Sequence, residues 1–209
     1  MRAACLPFAD QFITPMAAVA GAVADHVLAA MVRGRRLRRA VVNNGGDIAL
    51  HIQPGEAVRC GVVTNLHAPA LDGVCVVRGD EPWRGVATSG RACKGRGGKS
   101  FSFGIADSVT VVARTGAEAD AAASVIGNAV DLPGHPAVQR RPASDVDPGS
   151  DLGDRLITWG VGALTPAECA RALDRGRRVA DGLKRRGLIG AAVLALQGHA
   201  AFSHALEAA

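Results

Sequence analysis

The stretch SVTVVARTGAEADAAASVIGN, residues 108–128, decides the fold. Ser108 to Ala113 is a run of β-branched and small residues, the composition of a buried strand. Thr115-Gly116-Ala117-Glu118 comes next with the spacing of a capping box, in which a threonine hydroxyl and a glutamate three residues on satisfy each other's free amides. The helix it opens is predicted to run to about Asn128. A strand that turns straight into a capped helix implies helices laid on a sheet, and the flanking segments settle which kind of sheet.

Upstream, Ala57 to Val63, Gly73 to Val77 and Gly85 to Ala87 read as strands. Ala40 to Val42 and the alternating Ile48, Leu50 and Ile52 flank Asn43-Asn44-Gly45-Gly46-Asp47. Asn and Gly tolerate positive φ, so these residues mark the tight turn of a hairpin. Arg91 to Ser100 is glycine-rich and basic without periodicity and reads as an exposed loop. Nearer the N-terminus, Thr14-Pro15 has the form of an N-cap followed by proline at the first helical position. Met16, Val19, Ala20, Val23, Val27 and Met31 then recur at helical spacing through about Val32, which predicts a core helix ended by Gly34.

Downstream, residues 131–154 are polar and proline-rich, as a linker or surface excursion would be. Leu156 to Val161 reads as a strand. Thr165-Pro166-Ala167-Glu168 is a second capping box, opening a helix to about Arg186 with Cys169, Ala172, Leu173, Val179, Ala180 and Leu183 on one face. Leu188 to Leu196 and Ala200 to Phe202 form a closing hairpin. Strands in hairpins with about three main helices give an α+β fold of antiparallel strands. The expected division is a core over 1–130, the excursion over 131–154, and a strand–helix–hairpin over 155–209 that completes the same fold.

Hydrophobic residues make up 48% and charged residues 21% of the chain, but aromatics only 3%, with no tyrosine. The core must be built from Val, Ala, Leu and Ile, and a base-stacking platform for nucleic acid is not expected. The formal charge of +5 comes largely from two clusters. Arg33, Arg35, Arg36, Arg38 and Arg39 read as a solvated turn after a helix. Arg91, Lys94, Arg96 and Lys99 lie among glycines and read as an anion-binding flap. Five cysteines without a C-x-x-C pair argue against a disulfide framework and a structural zinc site, and for a cytoplasmic protein. Asp25 and His26 interrupt the apolar run from Met16, so no membrane span is expected. None of the six histidines forms a ligand pair on a predicted helix, and neither G-x-S-x-G nor G-x-x-x-x-G-K-[ST] occurs.

Asp120 and Ser124, at i and i+4, share one helix face. A carboxylate and a hydroxyl completed by backbone carbonyls and water make a hard oxygen site suited to Mg²⁺. Equally, Asp120 can complement a helix N-terminus while Ser124 simply packs. Gly45 and Gly46 would let backbone amides approach a phosphate, or serve only the turn. Thr88, Ser89 and Gly90 offer hydroxyl and amide donors at a strand end, or form an ordinary polar turn.

Five motifs succeed one another along the chain. They are Gly21-Ala22-Val23-Ala24-Asp25, Gly45-Gly46-Asp47, Ala87-Thr88-Ser89-Gly90, Ser108-Val109-Thr110-Val111 and Ala119-Asp120-Ala121-Ala122-Ala123-Ser124. Their order and spacing over about Phe12 to Val130 resemble the ApbE-like superfamily, whose named enzymes attach FMN to proteins. The wording is nearest to a bacterial and archaeal branch whose reaction is not established. The resemblance implies an ApbE-like fold, FAD or FMN as ligand, and Mg²⁺ held by Asp120, Ser124 and the Ala17 carbonyl. It also implies that Gly45, Gly46, Asp47, Thr88, Ser89 and Gly90 border the cofactor.

The chain also departs from the transferase pattern. Thr14 and Ala20 stand where those enzymes carry an acid and a lysine. The stretch from Lys99 to Asp107 has no histidine, and Asp107 is its only carboxylate. The N-terminal FAD-contacting half of a transferase does not precede the first motif. The expectation is a protein that binds a flavin or another phosphate-bearing ligand, with no catalytic residue assigned. Two alternatives are a Mg²⁺-dependent transferase using Asp107 or a substrate group as base, and an accessory protein with a decayed pocket. Self-association stays open.

Overall fold

The computed structural model describes residues 1–63, 71–91 and 101–203. The chain opens with a short helix, α1 (Arg2–Cys5), and a 3₁₀ turn, Leu6–Phe8; a second 3₁₀ turn, Pro15–Ala18, leads into α2 (Val19–Val32). Five strands come after it: β1 (Arg39–Asn44), β2 (Asp47–Ile52), β3 (Ala57–Val62), β4 (Gly73–Arg78) and β5 (Gly85–Ser89). Next are β6 (Ser108–Ala113), α3 (Gly116–Ala129), β7 (Val138–Pro142), α4 (Ala143–Val146) and β8 (Leu156–Val161). The described chain ends in α5 (Pro166–Arg185), β9 (Ile189–Leu196) and β10 (His199–Phe202).

The main sheet has six strands in the order β1-β2-β5-β6-β9-β10, every neighbouring pair antiparallel. The predicted α+β architecture with three long helices is what forms. β6 is buried along its whole length, and its side chains alternate between the sheet's two faces. Val109 and Val111 join Ala121, Val125, Ile126, Leu173 and Leu183 in the large core under α3 and α5. Val112 instead packs with Leu50, Ile52, Cys60, Val77 and Val86, beneath the two-stranded β3–β4 ribbon on the opposite face. Within residues 131–154 lie β7, which pairs with β8 as a separate ribbon, and α4.

The α2 helix departs from the reading of its sequence. Met16, Val23 and Val27 of the expected core stripe are 52%, 47% and 41% exposed, and the buried residues are Ala18, Gly21 and Ala24. Backbone approach explains the reversal. A Cβ on Gly21 would lie 2.1 Å from the Gly116 carbonyl oxygen, so the start of α3 touches α2 where no side chain fits. Only small residues can face such a neighbour, which leaves the larger ones outside. Among the described residues one helical stretch, Pro15–Val32, is long and apolar enough to cross a membrane, and 22% of it is buried.

The first turn of this segment is 3₁₀, and Thr14 makes no capping bond; its hydroxyl donates to Asp151 Oδ2 at 2.5 Å. The two predicted capping boxes also differ. At α5 the exchange between Thr165 and Glu168 is complete, whereas at α3 only Thr115 accepts, from the Glu118 amide. Asp25 supplies what Glu118 does not: its two carboxylate oxygens accept from Gly116 and Ala117 N–H at 2.8 and 2.9 Å.

Candidate functional site

Two features lie where α2 and α3 converge beside the ends of β2 and β5. The first is a pair of half-buried carboxyls. Asp120 Oδ2 accepts from the Gly21 amide at 3.0 Å, and burial pushes this carboxyl up to about 6 against the downward pull of the Gly21 and Ala20 amides. Asp47, the first residue of β2, is pushed up to about 7, by burial first and the Asp120 charge second, with the Thr88 amide pulling it down. Asp47 Oδ1 is buried without a hydrogen-bond partner. Two acids that repel each other in a poorly solvated place cannot both ionise cheaply unless a cation joins them.

The second feature is a cavity of 320 Å³ walled on one side by Thr14, Met16, Ala17 and Val19 and on another by Ser124, Val125 and Asn128 of α3. Ser89 closes it from β5; Phe12, Phe101, Phe103 and Asp151 close it from the loops. Phe12 meets Phe103 edge-on at 5.8 Å, and the Arg155 guanidinium lies over the Phe12 ring. Asn128 holds this wall, its Oδ1 accepting from Phe103 N–H at 3.0 Å. Arg140 braces it from behind, donating to the Phe103 carbonyl while pairing with Asp131 at 2.6 Å.

The residues anticipated from sequence divide among several places. Ala17, Ser89 and Ser124 line the cavity. Asp120 lies one helical turn before Ser124, with one carboxylate oxygen on Gly21 N–H. Thr88 points to the other sheet face, where its hydroxyl bonds that of Thr110 at 2.9 Å; strand alternation separates it from Ser89. Gly45 and Gly46 have φ of +69° and +110° and form the β1–β2 turn, with the Gly46 amide donating to Asn43 Oδ1 at 2.8 Å. Gly90 is tight against backbone: a Cβ there would sit 2.5 Å from the Asp107 carbonyl oxygen. Asp107 itself accepts from the Gln197 amide at 2.6 Å, at the β9–β10 turn. Of the basic segment expected to act as a flap, Arg91 is described, its amide donating to the Ala106 carbonyl at 2.9 Å, while Lys94, Arg96 and Lys99 lie outside the described residues.

The sequence marks Asp47 only as a cofactor neighbour; the structure makes it half of a carboxyl pair. Phe12, Asn128 and Asp151 carry no motif that points to the cavity they line. One signal is present: three of five phenylalanines, Phe12, Phe101 and Phe103, converge on one cavity in a chain that is 3% aromatic. Among the described residues no three His, Cys, Asp or Glu side chains gather as a metal site. A cation here would rest on the two carboxylates, with hydroxyl, backbone and water oxygens completing its shell. Those are hard donors of the kind Mg²⁺ takes, and the unpartnered Asp47 oxygen fits that role.

A family model described as AbpE bacteria matches residues 1–202. A UPF0280 protein of Methanoregula boonei is 34% identical over 74% of this chain and 63% of its own length. One from Methanothrix thermoacetophila is 40% identical over 56% of this chain and 46% of its own length. Another, from Archaeoglobus fulgidus, is 37% identical over 56% of this chain and 45% of its own. The match therefore spans between 45% and 63% of these relatives.

Proposed function

This chain belongs to that family, and on that premise we propose that it binds a small phosphate-bearing ligand of the flavin type beside Mg²⁺, as an ApbE-like protein would. The observation that carries the reading is the half-buried Asp47–Asp120 pair, with one buried oxygen lacking any donor, a helical turn from the cavity wall at Ser124. Bound there, Mg²⁺ would supply the positive charge that two carboxylates and a phosphate share. Asp120 and Asp47 would hold it, with the Ser124 hydroxyl and the Ala17 carbonyl as further oxygen donors. Phe12 and Phe103 would give a flat ring an apolar wall, and Ser89 and Asn128 polar edges. At 320 Å³ the cavity is at the small end for ligand pockets, suited to part of a dinucleotide more than the whole.

Transfer of FMN to protein is not part of this proposal. Deprotonating an acceptor hydroxyl needs a base within reach. Among the described residues no histidine lines the cavity, its one carboxylate is exposed Asp151, bonded by Thr14, and Asp107 is engaged with the Gln197 amide. The test is thermal unfolding at pH 8 with and without Mg²⁺. Wild type and Asp107→Ala should gain stability from the ion, and Asp120→Ala should gain none. An equal response in all three removes the metal from the account. Covalent, fluorescent flavin on a co-expressed acceptor supplied with FAD would restore the transferase reading.

A further inference from the structure

The outer side of α2 is an unusual solvated helix surface. Val23 and Val27 stand on it with His26, Ala29 and Ala30, all exposed, and Met16 extends it toward the cavity. No Lys, Arg or Glu occurs between Pro15 and Val32, and Asp25, its one acid, is turned inward to cap α3. An exposed helix normally carries charges on its solvent side; a bare apolar one marks a contact.

The two ends of the surface are charged in opposite senses. Beyond its C-terminal end, Arg33 and Arg36 are exposed, with no ion-pair partner among the described residues. At its N-terminal end stands Asp151, exposed and tied to Thr14, likewise without an ion-pair partner among the described residues. Nearby Arg155 is directed over the Phe12 ring. A surface that runs acid, apolar, base complements itself when two copies pack antiparallel.

We propose that α2 is the interface of a homodimer, in which two copies pack antiparallel and each lays Arg33 and Arg36 against Asp151 of the other. With the axis near Asp25, Val23 of one copy faces Val27 of the other, and Arg33 faces Ala17. A membrane surface fits less well, because acidic Asp151 would face the anionic lipid that the arginines attract. Insertion of α2 into a bilayer would strip Gly21 from Gly116 and Asp25 from α3. The segment is about 27 Å long and 10 Å wide, so the contact is smaller than the ~800 Å² per partner of standard interfaces. The arrangement also brings arginines to the cavity mouth at Met16, Ala17 and Asp151, whose described lining contains no Lys or Arg. That last consequence rests on the ligand reading above; the dimer does not.

Sedimentation of the full chain over a concentration series tests the interface without any ligand. Wild type should shift from monomer to dimer, with weaker association at about 0.5 M salt than at about 0.05 M. Val27→Glu should stay monomeric while keeping the melting curve that the wild type shows at concentrations where it too is monomeric, since the site is exposed. The double variant Arg33→Glu/Arg36→Glu and the single variant Asp151→Arg should each dimerise poorly, and mixing the two should restore a heterodimer. A wild type that stays monomeric, a dimer indifferent to Val27→Glu, or charge variants that fail to rescue each other overturns the proposal. So does a monomer that floats with phosphatidylglycerol vesicles. Fluorescence titration with FMN reads the arginine role separately. Binding by the dimer should be about tenfold tighter than by Val27→Glu, and equal binding removes that role while the sedimentation result stands.

Discussion

Asp47 and Asp120 make stability depend on pH in a direction opposite to ordinary surface acids. Their folded values, about 7 and about 6, lie above the usual 3.8, so the folded state keeps protons that the unfolded chain has released. Stability from these groups is fully present below about pH 4 and is lost as pH rises through 6 and 7. Chemical denaturation across that window should show falling stability, and Asp47→Asn should flatten the fall and be the more stable protein at pH 8. Unchanged slopes would remove the carboxyl pair from the account. Gly21 makes a steric prediction. A methyl at 2.1 Å from the Gly116 oxygen forces α2 and α3 apart, so Gly21→Ala should cost about 1–3 kcal/mol or more by urea unfolding. Asp120 is legible as a candidate because its partner Ser124 is one turn away in the same helix. Asp25 and Asp151 are not, because the groups they meet are 91 and 137 residues distant, and no local pattern encodes such a meeting.

Helix ends are the most legible elements, since a cap is written within four residues. Thr165 and Glu168 close the complete box on α5, so Thr165→Ala should lower stability by about 1 kcal/mol. At α3 the cap is divided between local Thr115 and distant Asp25. Asp25→Ala leaves the part-buried amides of Gly116 and Ala117 without their acceptor and should cost about 1–3 kcal/mol. Denaturant midpoints of the two variants rank them directly, and an Asp25 effect smaller than that of Thr165 would contradict the division. Strand positions are also legible, because β-branched runs and the Asn-Asn-Gly-Gly turn fix hairpins locally. Which face of α2 is buried is not. Periodicity reports where large apolar residues lie, and that coincides with the core only when the neighbouring surface has room for them. Here Gly21 meets the Gly116 backbone with buried Ala18 and Ala24 on the same side, and the valines are left for a partner.

At the scale of the whole molecule, a small aromatic fraction is enough because alanine-lined helices lie close on the sheet. Ala119, Ala121 and Ala123 of α3 are fully buried. The cavity is what this close packing leaves where it stops, between the start of α2, the face of α3 and the loops bearing Phe12, Phe103 and Asp151. Its walls come from segments far apart in sequence, so motif order can indicate the neighbourhood of a site but not its lining. The central claim is that this space, with the carboxyl pair beside it, is a ligand site. The most direct measurement is a fluorescence titration of FMN and FAD into the purified chain at pH 8, with and without Mg²⁺. The account predicts saturable quenching that requires Mg²⁺, is lost in Asp120→Ala, and is weakened when Ser124→Leu fills the cavity. Absence of binding with Mg²⁺ present, or binding indifferent to both substitutions, would contradict it.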